Sequence, residues 1–501
     1  MIAATRPIVL LINPRMCTPR HVRLPLSLLT LAAEIEGRYS YRILDGNAGD
    51  FTADLHRALR DAPAAVAAVT VMPGPQVAPA IEVSRAIRAL RPDVPIVWGG
   101  YFPTLYPDAA INAPYVDAVV RGPGEETLVE LISRWPDVSD ISGLTWRRDG
   151  AAVHNPERAL RSPDALPPLP YHALKSIEPY VQPTFLGRRT GVHQAAIGCR
   201  YRCSFCGVVS MFNGQTHLQR QERFAAGLAH LQRACGVDSV QFYDHNFFDR
   251  SESSQGTLET LARMQLPWWC YARADALAAF TPAMWSLARQ SRMRMVYIGA
   301  ETGSNEALRR MQKGGRVELT LDVAARLREN GVTPEFSFVL GSPDDPEGDT
   351  EATLEFIRRL KRAHPSCEVV LYFYSPTPQR DPRTIARESA RQPPVLDRYG
   401  PGGPSLPSTP EEWTEPRWVR YACHQDAPWL TPRLRRRVQD FARVLECRFP
   451  TVQDHHTPRW QKTVLRELAR WRWATRVYSR PLELTLARKS IALRQPQTES
   501  L

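Results

Sequence analysis

The chain has no apolar run long enough to span a bilayer and no secretory cleavage pattern. Its early apolar stretch, Ile8 to Ile12, is short and suits a buried strand. Cysteine is sparse and odd in number, nine in 501 residues, and six of the nine are scattered singly. That argues against a disulfide framework and for a reducing compartment, with the cytoplasm as the expected location. No Gly-x-Gly-x-x-Gly follows the first strand pattern, so a dinucleotide is not favoured. A structural zinc would want a second close-set cysteine pair, and Cys423-His424, Cys447 and His455-His456 match no zinc spacing. There is no nucleophile or acid–base constellation, so no catalytic side chain is assigned. What is present, 43% hydrophobic and 23% charged residues, fits a soluble globular protein of two or three domains. The net charge of +12 is concentrated from Arg433 onward. It reads as a solvated face or an anionic-membrane contact, and nucleic acid is not expected as a partner.

Three cysteines are clustered, in Gly198-Cys199-Arg200-Tyr201-Arg202-Cys203-Ser204-Phe205-Cys206-Gly207. Thiolates are soft ligands, and three this close can reach one iron–sulfur cluster from a single loop. A four-iron cluster held by three cysteines keeps one iron open to a substrate or cofactor. The partly apolar run Val192 to Ile197 puts the loop at the C-terminal end of a strand, and a glycine on each side permits close wrapping. Cys199-x-x-x-Cys203-x-x-Cys206, with an aromatic before the last cysteine, resembles the signature of the radical S-adenosylmethionine (SAM) enzymes. The resemblance implies a 4Fe-4S cluster on Cys199, Cys203 and Cys206, with SAM on the open iron. It also implies an external electron donor of the flavodoxin or ferredoxin type.

Ahead of that loop, short apolar runs alternate with helical periods. Strands, with their turn ends, are read at Ile8 to Pro14, Tyr41 to Asn47, Ala65 to Val71, Pro95 to Gly100 and Asp117 to Gly122, with helices between them. This predicts a doubly wound, Rossmann-like parallel sheet that binds at its carboxyl strand ends. Asn13-Pro14, Asp45-x-Asn47, Val69-Thr70-Val71, Gly99-Gly100 with Pro103-Thr104, and Val120-Arg121-Gly122-x-Gly124-Glu125 resemble the cobalamin-binding domain that precedes many radical SAM enzymes. That resemblance implies cobalamin contacts at Asp45, Asn47, Thr70, Gly99, Gly100, Gly122 and Glu125. Two positions depart from it. Asn47 stands where a cobalt-ligating His occurs in Asp-x-His-x-x-Gly, which leaves the lower axial site empty, water-filled or met by another residue. Tyr101 replaces the usual His after the Gly-Gly pair.

Residues 140–190 carry seven prolines between Pro156 and Pro183 and read as a connector, with a small hairpin around Asp149-Gly150. From 191 to 380 six strands alternate with helices, predicting a partial (β/α)6 TIM-like barrel with its site at the C-terminal face. Asp244, Asn246, Arg273 and Glu301 stand at successive strand ends. By the family resemblance Asp244 and Asn246 serve the SAM amine, Glu301 the ribose, and Arg273 the carboxylate or its support. His245 reads as a satisfied polar residue, and the barrel tyrosines as core. Residues 376–412 look like an irregular crossing segment, and 381–501 form a C-terminal helical region. In it, Arg459 to Val477 reads as one basic, Trp-rich amphipathic helix that packs on the barrel or lies on a membrane surface. The expected domains are thus 1–139 (cobalamin-binding), 140–190 (connector), 191–380 (radical SAM core) and 381–501. The implied function is a cobalamin-dependent radical SAM C-methyltransferase acting on an unactivated carbon of a small molecule or a hopanoid-type lipid. The alternatives are an anaerobic oxidative cyclase of the same architecture and a non-catalytic cobalamin or Fe–S sensor.

Overall fold

The computed structural model describes residues 7–17, 22–61, 63–249, 251–375, 377, 406–454, 456–491 and 493. Most of the crossing segment read from the sequence, 376 and 378–405, lies outside the described residues, as does His455. The chain forms two compact units, one of residues 1–182, 191–237 and 376–423, the other of 183–190, 238–375 and 424–501.

The first unit is built on β1 (Ile8–Asn13), β2 (Ser40–Asp45), β3 (Ala64–Thr70), β4 (Ile96–Gly99) and β5 (Ala118–Val120), paired in parallel in the order β2-β1-β3-β4-β5. Their runs are apolar on both faces because helices cover both. Val9 and Leu11 pack with Leu28, Ile35 and Leu131; Leu10 and Ile12 pack on the opposite side with Leu55, Ile81 and Trp98. The hairpin expected at Asp149-Gly150 forms as β6 (Leu144–Arg148) and β7 (Ala151–His154). Asp149 at φ 53° and Gly150 at φ 81° give the turn its left-handed pair. β6 then pairs antiparallel with β5, so this part of the proline-rich stretch extends the first sheet to seven strands instead of standing apart as a linker.

Residues 406–422 return to the same unit. Trp413 is buried with its ring 4.2 Å from Tyr106 and 5.8 Å from Phe102, and Trp418 and Tyr421 join the same core. A tryptophan buried in this way contributes on the order of 3 kcal/mol.

The apolar run before the cysteines is divided. Val192 belongs to β8 (Thr190–His193), whereas Ile197 lies in β9 (Ala196–Gly198), which pairs antiparallel with β10 (Thr216–Leu218). The strand entering the cysteine loop is therefore part of a two-stranded ribbon and not of the large parallel sheet. Gly198 ends this strand: its φ is +82°, and a Cβ there would sit 2.2 Å from the Gln215 carbonyl oxygen, so the ribbon's close approach needs glycine.

The second unit carries β11 (Ser239–Phe242), β12 (Trp268–Ala272), β13 (Met293–Glu301), β14 (Thr333–Leu340) and β15 (Glu368–Phe373), parallel and in chain order. Thr190, whose hydroxyl meets that of Ser239 at 2.9 Å, opens the sixth strand of that sheet's order, β8, matching the expected count. The intervening helices start where the sequence supplies caps. Thr281 accepts from the Met284 amide before Pro282, Ser304 from Ala307, and Asp345 from Gly348 before Pro346.

The C-terminal helices are tied to the helix Pro346–Ala363. Arg437 pairs both guanidinium nitrogens with Glu351, and Arg358 donates to the Trp473 carbonyl at 2.7 Å. The stretch read as one helix is two, Arg459–Leu468 and Arg470–Thr475, and it ends at Arg476, which adopts φ +63°. Leu465 and Ala469 face inward, while Trp460, Val464, Leu468, Trp471 and Val477 are exposed, Trp460 by 65% and Trp471 by 50%.

Candidate functional site

At the carboxyl edge of the first sheet, polar side chains tie the strand ends together. The Asp45 carboxylate accepts from Asn13 Nδ2 (3.0 Å), the Asn47 amide (2.9 Å), Asn47 Nδ2 (3.1 Å) and the Tyr180 hydroxyl (3.0 Å). Burial raises the Asp45 pKa above the usual carboxylate range, against the lowering effect of these bonds. Asn47 Oδ1 accepts from the amides of Met16 (2.7 Å) and Cys17 (3.0 Å), so this side chain anchors the loop after β1. Gln76 completes the frame, donating to Asn13 Oδ1 and the Pro14 carbonyl while accepting from the Met72 amide. Gln76 and Tyr180 were not singled out from the sequence. A polar residue just before a helix after a strand was the available sign of the first; nothing local marked the second.

The glycine pair is a bare stretch of backbone. Gly100 adopts φ +99° and ψ −165°, a region essentially reserved for glycine. A Cβ there would lie 3.0 Å from the Val71 carbonyl oxygen and 3.1 Å from Thr70 Oγ1. Gly99 has only Val120 nearby, at 3.8 Å. Thr104 Oγ1 donates to the Gly100 carbonyl (2.7 Å) and accepts from the Gly122 amide (3.0 Å), linking the ends of β4 and β5. Glu125 opens the next helix, with its carboxyl raised chiefly by burial. A smooth, glycine-lined edge backed by fixed polar groups fits a large flat cofactor whose tail must approach the backbone closely.

The cysteine loop is built onto this edge. It closes with the Cys206 amide donating to the Cys203 carbonyl at 3.1 Å and runs into the helix Gly207–Phe212. That helix packs against Tyr101–Leu105, the helix that follows the glycine pair. Gly207 makes the approach possible, since a Cβ would meet Leu105 at 3.3 Å; Met211 Sδ stands 3.9 Å from Thr104 Oγ1. The Tyr101 phenol lies close enough to Cys206 and Cys199 that, after burial, their charges raise its pKa further. Cys203 is buried, and Cys199 and Cys206 are partly exposed. Among the described residues no three His, Cys, Asp or Glu side chains converge as ligands of a single metal ion. A four-iron cluster asks for something different, one thiolate on each of three irons, and the donor set of this loop fits that demand.

In the second unit, Asp244 and Asn246 follow β11 and are both buried. Asn246 Nδ2 contacts Asp249 Oδ1 at 3.4 Å, while its Oδ1 is buried with no hydrogen-bond partner among the described residues. An orphaned amide oxygen fits an incoming ammonium group. Glu301 ends β13 at φ +63°, unusual for a residue with a side chain, and pairs with Lys313 at 2.5 Å. Gly299 clears the space, as a Cβ there would sit 2.2 Å from Glu301 Oε1. Arg273 forks onto Asp275 at 2.9 and 2.8 Å and donates to the Lys313 carbonyl at 2.6 Å. It therefore braces the loop that carries Glu301's partner. Burial lowers the His245 pKa to about 4, so its imidazole is neutral near pH 7.

Residues 18–132 match the family model described as the B12 binding domain, and residues 195–357 match that of the radical SAM superfamily. The chain thus joins a B12-binding domain to a radical SAM domain and belongs with the cobalamin-dependent radical SAM enzymes. Cobalamin, a 4Fe-4S cluster and SAM are the cofactors of that architecture. An uncharacterized methyltransferase of Pyrococcus horikoshii is 25% identical over 67% of this chain and 73% of its own length. The hopanoid C-2 methylase of Rhodopseudomonas palustris is 24% identical over 67% of this chain and 59% of its own. The anaerobic magnesium-protoporphyrin IX monomethyl ester cyclase of Synechocystis is 23% identical over 55% and 54%. Among solved structures, the radical SAM methyltransferase TsrM of Kitasatospora setae superposes with a TM-score of 0.65 at 19% identity, covering 97% of this chain and 99% of its own. It shares the fold.

Proposed function

We propose that this protein is a C-methyltransferase acting on an unactivated carbon. The observation that carries the reading is that the glycine-lined edge of the B12-binding domain and the three-cysteine loop belong to one compact unit, joined through the helices Tyr101–Leu105 and Gly207–Phe212. Together, when bound, the cluster with SAM supplies hydrogen removal from carbon, and cobalamin supplies a transferable methyl group. The chain's own part is placement. Cys199, Cys203 and Cys206 would hold three irons and keep the fourth open. Asn246 Oδ1, with Asp244 beside it, would accept from the SAM ammonium, and Glu301 from its ribose. Gly99 and Gly100 would admit the cobalamin tail, with Thr70, Gly122 and Glu125 at its margin. Asp45 and Asn47 would shape the adjoining loop, where Asn47 Oδ1 is already engaged by the Met16 and Cys17 amides. The similarity to the Synechocystis cyclase, 23% identical over 55% of this chain, makes ring-forming oxidation the second reading.

The test uses the reconstituted protein with SAM labelled in its methyl group, dithionite and cell extract as the substrate source. Label is expected in cobalamin and in a product heavier by one methylene, with both 5′-deoxyadenosine and S-adenosylhomocysteine released. 5′-Deoxyadenosine without transferred label would favour cyclisation, and the absence of both nucleosides would overturn the enzymatic reading.

We also propose that the C-terminal helices rest on an anionic membrane surface. Support comes from the exposed stripe of Trp460, Val464, Leu468 and Trp471, with Arg459, Arg466, Arg470 and Arg480 exposed around it. Aromatic and aliphatic side chains rimmed by guanidinium groups suit the boundary between headgroups and acyl chains. No helix among the described residues is long and apolar enough to cross the membrane. In flotation with phosphatidylserine-containing vesicles the protein is expected to rise with the lipid, and W460S/W471S to remain at the bottom. Wild-type protein that stays below with those vesicles would dismiss the idea.

A further inference from the structure

The helix Tyr101–Leu105 divides its side chains between two neighbours. Phe102 looks into the core of the first sheet, where its ring lies 6.3 Å from Trp98 and 5.8 Å from Trp413. Residues three and four apart share a helix face, so Tyr101, Thr104 and Leu105 lie together on another side. Two of these three touch the helix that leaves the cysteine loop. Leu105 is the side chain that a Cβ on Gly207 would meet at 3.3 Å, and Thr104 Oγ1 stands 3.9 Å from Met211 Sδ. Gly207 directly follows Cys206, which occupies the N-cap position of that helix.

Tyr101 is the third member of this face, one turn before Leu105. Its ring rests on the edge of the first sheet's core and stays partly exposed. Burial is the main cause of its raised pKa, and the charges of Cys206 and then Cys199 add to it, which puts the hydroxyl on the side of these two thiols. They are the two partly exposed members of the trio. Other donors around the loop are aimed at backbone oxygens. Arg202 donates to the Asn213 carbonyl at 3.4 Å, Thr377 to the Phe205 carbonyl at 3.3 Å, and the Cys206 amide to the Cys203 carbonyl at 3.1 Å. A phenol carries one proton on a rotatable O–H and keeps it at neutral pH, so it donates to a negative neighbour. In the sequence Tyr101 is visible only as a departure from the usual His after the glycine pair.

We propose that Tyr101 is a positioning residue for the iron–sulfur cluster: its hydroxyl donates a hydrogen bond to the Cys206 sulfur and sets the potential at which the cluster accepts its electron. The inference rests on the cluster reading of the loop and adds to it a residue from the B12-binding domain. Hydrogen bonds to the sulfurs are among the levers that set a cluster's potential. One-electron reduction adds a negative charge to the cluster and its thiolates. A proton directed at one of those thiolates offsets that charge and favours the reduced form. Removing the hydroxyl therefore makes the cluster harder to reduce, while the three thiolates that hold it stay in place.

The test is a redox titration with dithionite, followed by the electron paramagnetic resonance of the reduced cluster, on the reconstituted full chain without SAM or cobalamin. Tyr101→Phe keeps the ring and removes the hydroxyl. It is expected to hold as much iron as wild type and to have a lower potential. At the wild-type midpoint the ratio of reduced to oxidised cluster is expected to fall about tenfold, which is about 59 mV for a one-electron couple. Tyr106→Phe is the control. Its ring lies 4.2 Å from Trp413 in the core, and the variant is expected to keep the wild-type potential. An unchanged or raised potential in Tyr101→Phe would overturn the proposal, as would an equal shift in Tyr106→Phe. Loss of iron from Tyr101→Phe would make the residue a support of the fold and overturn it as well. Wild-type protein that binds no iron would overturn the cluster reading and this proposal with it, whereas a full cluster with an unmoved potential in Tyr101→Phe would overturn this one alone.

Discussion

Replacing Cys203 by serine is expected to reduce the iron held after reconstitution from about four per chain to background, and with it all SAM cleavage. Cys203 is the buried member of the trio, and its carbonyl accepts the Cys206 amide that closes the loop. Serine preserves that backbone bond and the side-chain volume closely, so the change isolates the thiolate. Loss of groups that merely support a metal ligand costs about 10–100-fold in affinity, and loss of a direct thiolate is expected to exceed that. Cys17→Ser is the control: Cys17 bonds to Asn47 on the loop after β1, and its replacement is expected to leave the iron unchanged. Iron analysis and absorbance of the two variants side by side decide the matter, and a Cys203→Ser protein with wild-type iron would refute the assignment of the loop.

Gly100→Ala and Gly99→Ala are expected to part company. Alanine at Gly100 must hold φ near +99° and ψ near −165° with its Cβ 3.0 Å from the Val71 carbonyl oxygen. That oxygen is itself fixed by the Phe102 amide at 2.9 Å, so it cannot withdraw freely. The strain alone costs about 1–3 kcal/mol, and the variant is expected to melt earlier and to lose cobalamin. Gly99 has no positive φ, and its nearest neighbour is Val120 at an ordinary 3.8 Å. Alanine there is expected to change stability by no more than about 0.5 kcal/mol while weakening cobalamin retention, because the added methyl stands where the cofactor approaches. Melting curves and cobalamin absorbance after gel filtration separate the two effects. A Gly99→Ala protein with full cobalamin would move the cofactor away from the pair, and an unchanged melting curve for Gly100→Ala would contradict the backbone geometry.

Much of this was legible before any coordinates. The spacing of Cys199, Cys203 and Cys206, the alternation of apolar runs with helical periods, and the polar residues at strand ends are all local patterns. The chain's own chemistry writes them within a few residues: a strand needs period two or a buried run, a helix needs 3.6, and a cluster loop needs thiols within reach of one another. Caps such as Thr281, Ser304 and Asp345 are of the same kind.

Other features rest on contacts between distant segments, and no period records them. That the cysteine loop is seated on the Tyr101–Leu105 helix depends on Gly207 meeting Leu105, a hundred residues earlier in the chain. The burial of Trp413 against Tyr106, the linking of Asn13 and Met72 by Gln76, and the Tyr180 bond to Asp45 are equally non-local. The tyrosines showed the same limit. Their sequence positions read as core, and only the register of β12 to β15 showed that they share one face with two carboxyls, with Tyr271 and Tyr297 packed against Trp269, Met295 and Leu186. The sequence by itself determined the elements and the donor atoms, because those follow from neighbours along the chain. The tertiary structure alone decided which faces meet, because that depends on the shapes of surfaces formed only after the elements exist.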